Sequence, residues 1–163
     1  MLRISKLTDY GTVILATLAA SPDELHTAAE VAERTRIALP TVSKLLKTLH
    51  REGLVQSMRG SHGGYQLARP AAEISAAAIL DALEGPFALI ECASERSVCG
   101  IEPTCTVGHA WQRVHFALRR ALADVSLAHL AGLDRGALRP PDLRGGLTAE
   151  APLAFHPNRP PAD

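Results

Sequence analysis

Leu39-Pro40-Thr41-Val42-Ser43-Lys44-Leu45-Leu46-Lys47-Thr48-Leu49-His50-Arg51 is the stretch that decides the fold. Val42, Leu45, Leu46 and Leu49 fall at i, i+3, i+4 and i+7, which predicts a helix with one buried stripe. Its opposite face is left with Thr41, Ser43, Lys44, Lys47, Thr48 and Arg51, a surface rich in hydroxyls and positive charge. Pro40 occupies the first turn, where no amide is missed, and Gly53 stops the helix. Upstream, Thr27-Ala28-Ala29-Glu30 has the form of a capping box and opens a short helix through Val31, Ala32 and Arg34. The turn Thr35-Arg36-Ile37-Ala38 joins the two. Paired helices of this kind, the second basic on its outer face, make a helix-turn-helix.

Downstream the period changes from helical to extended. Leu54–Met58 and Tyr65–Ala68 read as two short strands joined by Arg59-Gly60-Ser61-His62-Gly63-Gly64. Three glycines in that link let backbones approach closely, and Arg59 at its base supplies a charge suited to a narrow minor groove. Behind a helix-turn-helix, such a hairpin is a wing. Residues 1–85 are therefore expected to be a winged helix-turn-helix that binds double-stranded DNA. Thr41, Ser43, Lys44 and Lys47 would meet bases or phosphates, Arg59 the minor groove, and Ser61 and His62 the duplex beside it.

Before this reader, a first helix is expected from Ser5 to Ala20, capped by Ser5 or Thr8 and buried through Leu7, Tyr10, Ile14 and Leu18. Thr8 and Asp9 interrupt the apolar run that an export signal needs. After the reader, Glu73 to Leu83 reads as a small helix stopped by Gly85-Pro86, and Leu89 and Ile90 as buried anchors. A long helix is expected from Gly108 to Leu130, with Trp111, Val114, His115, Leu118, Leu122, Val125 and His129 recurring at three or four. So small a reader cannot cover that much apolar surface, which predicts a homodimer. Residues 86–133 thus form a cysteine loop and dimerisation helix. Residues 134–163, punctuated by Pro and Gly, read as a disordered tail.

Composition narrows the function. The 163 residues carry no net charge, but residues 1–70 hold nine Lys/Arg against six acids and residues 71–133 four against seven. The basic front half is compatible with a polyanion. No apolar run approaches the roughly 20 residues that cross a bilayer, so no membrane association is expected. No Ser-His-Asp, paired-carboxylate or phosphate-loop pattern is present, and no enzyme activity is expected.

All three cysteines, Cys92, Cys99 and Cys105, lie in one loop. An odd, clustered set is not a secreted disulfide framework, which points to the cytoplasm. Three thiolates so spaced can converge on one soft metal centre, and spacing alone leaves zinc and an iron-sulfur cluster equally open. Either needs a fourth ligand.

Leu7-Thr8-Asp9-Tyr10-Gly11, Leu39 to Leu46, Gly53-Leu54-Val55, Arg59 to Ala68 and the three cysteines together resemble the Rrf-two superfamily of bacterial winged-helix repressors. That group includes the regulators of iron-sulfur cluster assembly and the nitric-oxide-sensing repressors. Within it the chain is most similar to the Suf-system regulators. The resemblance covers about residues 1–130 and implies a mainly α fold: a winged helix-turn-helix with a two-stranded wing, followed by a long dimerisation helix. It further implies a homodimer on a palindromic operator, repressing iron-sulfur cluster assembly genes. The cofactor implied is an iron-sulfur cluster, 2Fe-2S ahead of 4Fe-4S, on Cys92, Cys99 and Cys105. In some relatives the fourth ligand is a histidine three residues after the last cysteine, where this chain has Gly108, with His109 one further on. In the nitric-oxide-sensing relatives it is an Asp of the partner subunit near the start of the first helix, which matches Asp9. Asp9 is preferred, His109 is the alternative and Glu102 stands third. The competing class is a zinc-binding or cluster-carrying adaptor whose winged helix binds protein.

Overall fold

The computed structural model describes residues 4–60, 63–86 and 107–134. The expectations for Ser61, His62, Leu89, Ile90, Glu102, the three cysteines and the tail fall outside those residues.

Helix α1 spans Lys6–Ala19, and its cap is Ser5, whose hydroxyl accepts the Thr8 amide. Its buried face is set by Thr8, Gly11, Ile14, Leu15 and Leu18, while Leu7, expected inside, is 45% exposed. The stripe is turned because Gly11 is the point of closest approach to the next layer: a β-carbon there would collide with Leu83. Helix α2, Ala28–Thr35, begins with the expected capping box. The Thr27 hydroxyl accepts the Glu30 amide at 3.2 Å, and Glu30 accepts the Thr27 amide at 2.7 Å. Helix α3, Leu39–Arg51, buries Val42, Leu45, Leu46 and Leu49 as its spacing requires. It ends where Gly53 takes φ +72°, a conformation that costs glycine little.

Strands β1 (Val55–Met58) and β2 (Gly64–Leu67) form an antiparallel pair in the register Val55 to Leu67 through Met58 to Gly64. Each is one residue out of step with its expected bounds, since Leu54 closes the turn after α3 and Gly64 begins the return. The outer edge of β2 is also occupied: His26 and Tyr65 exchange both backbone hydrogen bonds, at 3.0 and 2.8 Å.

A 3-10 turn at Ala71–Glu73 leads to α4, Ala76–Glu84, capped by Ser75. Helix α5 covers Gly108–Asp124 and packs on α4. It does not run on to Leu130. The chain becomes extended at Val125, whose carbonyl accepts the Ala76 amide at 2.7 Å, while Leu127 donates to Ile74 at 2.7 Å. Ser126 then caps a separate short helix α6, Leu127–Leu130, with His129 closing the cap. Two backbone bonds to the segment leading into α4 and a side-chain cap replace the helical bonds lost at the break. The result inserts Leu127, fully buried, beside α1 in the core of Ile14, Leu15, Leu18, Val31, Leu46, Leu49, Ile74 and Ile79. Val125 and His129 accordingly do not continue the stripe expected of α5.

Candidate nucleic-acid interface

Helix α3 is held by its buried stripe, which leaves Lys44 and Lys47 exposed and Thr41, Ser43 and Thr48 half-buried on the outer side. Arg51, counted on the same face from sequence, pairs with its neighbour Glu52 at 2.9 Å. That pair is exposed, so it contributes little to stability. No side chain caps α3 at Ala38, unlike the starts of α1, α2, α4 and α6, which Ser or Thr caps. The positive end of the helix dipole is thereby open to a phosphate. Arg36, exposed at the end of α2 with φ 57°, adds a cation to the turn before α3. Sequence reading treated it only as part of a turn.

Arg59 directly follows β1 and is exposed, as its place in the wing requires. The hairpin beneath it is fixed on both flanks. On one flank lies the His26 to Tyr65 bridge, with Gly64 packed so closely on His26 that a β-carbon would come within 2.9 Å of the His26 carbonyl oxygen. On the other, His50 Nδ1 lies 3.0 Å from the Val55 carbonyl oxygen. Neither histidine was singled out from sequence. His26 is 2% exposed, and alternation within Glu24-Leu25-His26-Thr27 is too short to announce an extended segment.

The first turn of α1 is tied to the end of α4. The Ser5 amide donates to Glu84 Oε1 at 3.1 Å, and the Thr8 hydroxyl donates to the same oxygen. These donors, chiefly the hydroxyls of Ser5 and Thr8, hold the Glu84 carboxyl below the usual glutamate range. Asp9, the next residue after Thr8, is exposed. His109 is exposed at the second position of α5. Across the α4–α5 contact, Arg119 makes a two-pronged ion pair with Asp81 at 2.6 and 3.1 Å. His115 is 4% exposed, and its burial, followed by the nearby Arg119 charge, holds the imidazole below its usual range and neutral at pH 7. Among the described residues no group of three or more His, Cys, Asp or Glu could hold a metal ion. Asp9 and His109 alone do not make a centre.

Comparison with known proteins matches residues 4–132 to the Rrf2 family model, described as "Iron-dependent Transcriptional regulator". The HTH-type transcriptional regulator NsrR of Oceanobacillus iheyensis is 33% identical over 131 residues, covering 79% of this chain and 89% of that protein. Among solved structures, CymR (YrzC), the global cysteine regulator of B. subtilis, superposes with a TM-score of 0.64 at 28% identity, covering 82% of this chain and 99% of that one. The IscR of T. potens superposes with a TM-score of 0.61 at 26% identity, over 82% and 89%.

Proposed function

This chain belongs to the Rrf2 family of DNA-binding, non-enzymatic transcriptional regulators, and from that premise we propose that it senses iron-sulfur or redox status through a cluster on Cys92, Cys99 and Cys105 and thereby represses iron-sulfur cluster assembly genes. The observation that carries this reading is the donor set: three clustered thiols directly ahead of α5 in a chain whose family is described as iron-dependent. Thiolates suit iron in an iron-sulfur cluster, and a carboxylate or imidazole suits the fourth position.

The helices that bracket residues 87–106 also fit this role. Helices α4 and α5 are packed together and clamped by Arg119 and Asp81, and the end of α4 is bonded to the first turn of α1. Asp9 is exposed on the first turn of α1, as a carboxylate offered to the partner subunit's cluster must be, with His109 as the alternative. A bound cluster supplies a redox-sensitive centre whose loss or alteration removes a restraint. The residues of the chain turn that restraint into position: the Ser5, Thr8 and Glu84 contacts join the segment's departure point to α1, and α1 packs on α3. In a homodimer the two α3 helices read half-sites one helical turn apart, about 34 Å, and a palindromic operator binds well only at the right separation. Thr41, Ser43, Lys44 and Lys47 contact bases or phosphates, and Arg59, with Ser61 and His62, the groove beside them.

Anaerobically purified protein is expected to be brown, with visible absorbance lost in the triple Cys92, Cys99 and Cys105 to Ala variant. Gel shifts on the promoter of a cluster-assembly operon should then separate holo from apo protein. A colourless protein with stoichiometric zinc would support the adaptor reading instead, and equal affinity of the two forms would remove the sensing role.

A further inference from the structure

The wing is a two-stranded sheet of four residues per strand, too small to hold its own orientation, since an isolated hairpin is marginal in water. Its angle to α3 is therefore set from outside the pair, by the core in which Val55 and Leu67 are buried and by contacts at its edges. Leu54 accepts the Ala68 amide, so in the alternating antiparallel ladder Val55 and Leu67 are the next, non-bonded pair, and the Val55 carbonyl points away from β2. His50, in the last turn of α3, meets that outward carbonyl at 3.0 Å through Nδ1. A carbonyl can only accept, so Nδ1 carries the proton. Nε2 is then free to accept from the Ser57 hydroxyl, the next outward position on the same strand, at 3.5 Å.

We propose that His50 is a positioning residue for DNA reading: by gripping the outer edge of β1 at Val55 and Ser57, it fixes the angle between the wing and α3 and so sets where Arg59 meets the duplex. The lever is long enough to matter. Arg59 lies four residues beyond Val55, roughly 13 Å along an extended strand, so a swing of about 10° moves it by about 2 Å. That exceeds the tolerance of a hydrogen bond. His50 is exposed and outside the apolar core, which separates this role from general packing.

The inference rests on the assignment of Arg59 to the duplex, and the test keeps the two apart. The probes are the duplex that wild-type protein selects from a random pool and a shuffled duplex of the same composition, with affinities measured by fluorescence anisotropy at one salt concentration. His50→Ala is expected to weaken the selected duplex about fivefold or more, the lower end of what one groove contact contributes, and to leave the shuffled duplex unchanged. His50→Asn, whose side-chain amide nitrogen overlies Nδ1, should restore most of the loss. In an Arg59→Ala background, His50→Ala should change nothing further. Should His50→Ala fail to fold, His50→Leu, which fills similar space without a donor, replaces it in the same comparison. The proposal is overturned if the His50 effect persists undiminished without Arg59, if both duplexes weaken alike, or if His50→Ala is silent where Arg59→Ala is not. If Arg59→Ala is itself silent, the groove assignment falls first and this one with it.

Discussion

A β-carbon built on Gly64 would lie 2.9 Å from the His26 carbonyl oxygen and 3.0 Å from its amide nitrogen and carbonyl carbon. These are backbone atoms that Tyr65 holds in place through two hydrogen bonds, so neither side can yield cheaply. Gly64→Ala is expected to cost about 1–3 kcal/mol, as overpacking does, and to lower the urea midpoint. An unchanged midpoint would mean that the bridge is looser than its geometry. A cap one helix away gives a smaller figure: Thr27→Ala should cost about 1 kcal/mol by freeing the Glu30 amide, checked by the same denaturation. The two residues differ in how legible they were. Thr27 and Glu30 are three apart, so the cap is written in the sequence, whereas Gly64 meets a residue far along the chain and only its glycine richness showed. His50 was hidden for a different reason: its partner, only five residues on, is a backbone carbonyl that no side-chain pattern marks.

Between elements, the junction of α1 and α4 carries the most specific chemistry. The Glu84 carboxyl is held below its usual value of 4.5 by donors from Ser5 and Thr8. A group whose folded value is depressed adds stability that is fully present above 4.5 and disappears as pH falls through the folded value, because the unfolded chain takes up the proton first. Wild-type protein should therefore lose stability below pH 4.5 more steeply than Glu84→Gln, measured by denaturant midpoints across the acid range. Parallel curves would remove Glu84 from this role. The side chain is exposed, so the difference should be small. At α5 the sequence misled for a definable reason. Apolar spacing from Trp111 to His129 is continuous enough to suggest one helix, and the break at Val125 is dictated by backbone bonds to Ile74 and Ala76, which periodicity cannot register. Ser126→Ala should accordingly destabilise by about 1 kcal/mol through the lost α6 cap, with little change in helical circular dichroism, since α6 is four residues long.

At the scale of the molecule, the reader closes on itself and α5 does not. The helix-turn-helix and wing surround a core that draws on α1 to α4 and α6. Of α5, only His115 is buried. Trp111 is 49% exposed, Val114 45% and Phe116 51%, all on a helix of 17 residues, about 25 Å long. Exposed aromatics grouped on one element are the usual mark of an interface, and a self-complementary two-fold contact between two copies of α5 covers them most economically. Trp111→Glu combined with Val114→Glu is expected to convert a dimer to a monomer in sedimentation velocity while leaving thermal unfolding of the reader near wild type. The same variant should lose affinity for a palindromic duplex and retain the weak, salt-sensitive binding of one reader, because a second half-site can no longer be engaged at once. A variant that stays dimeric would place the interface elsewhere. One that becomes monomeric yet keeps full operator affinity would separate dimerisation from DNA reading altogether.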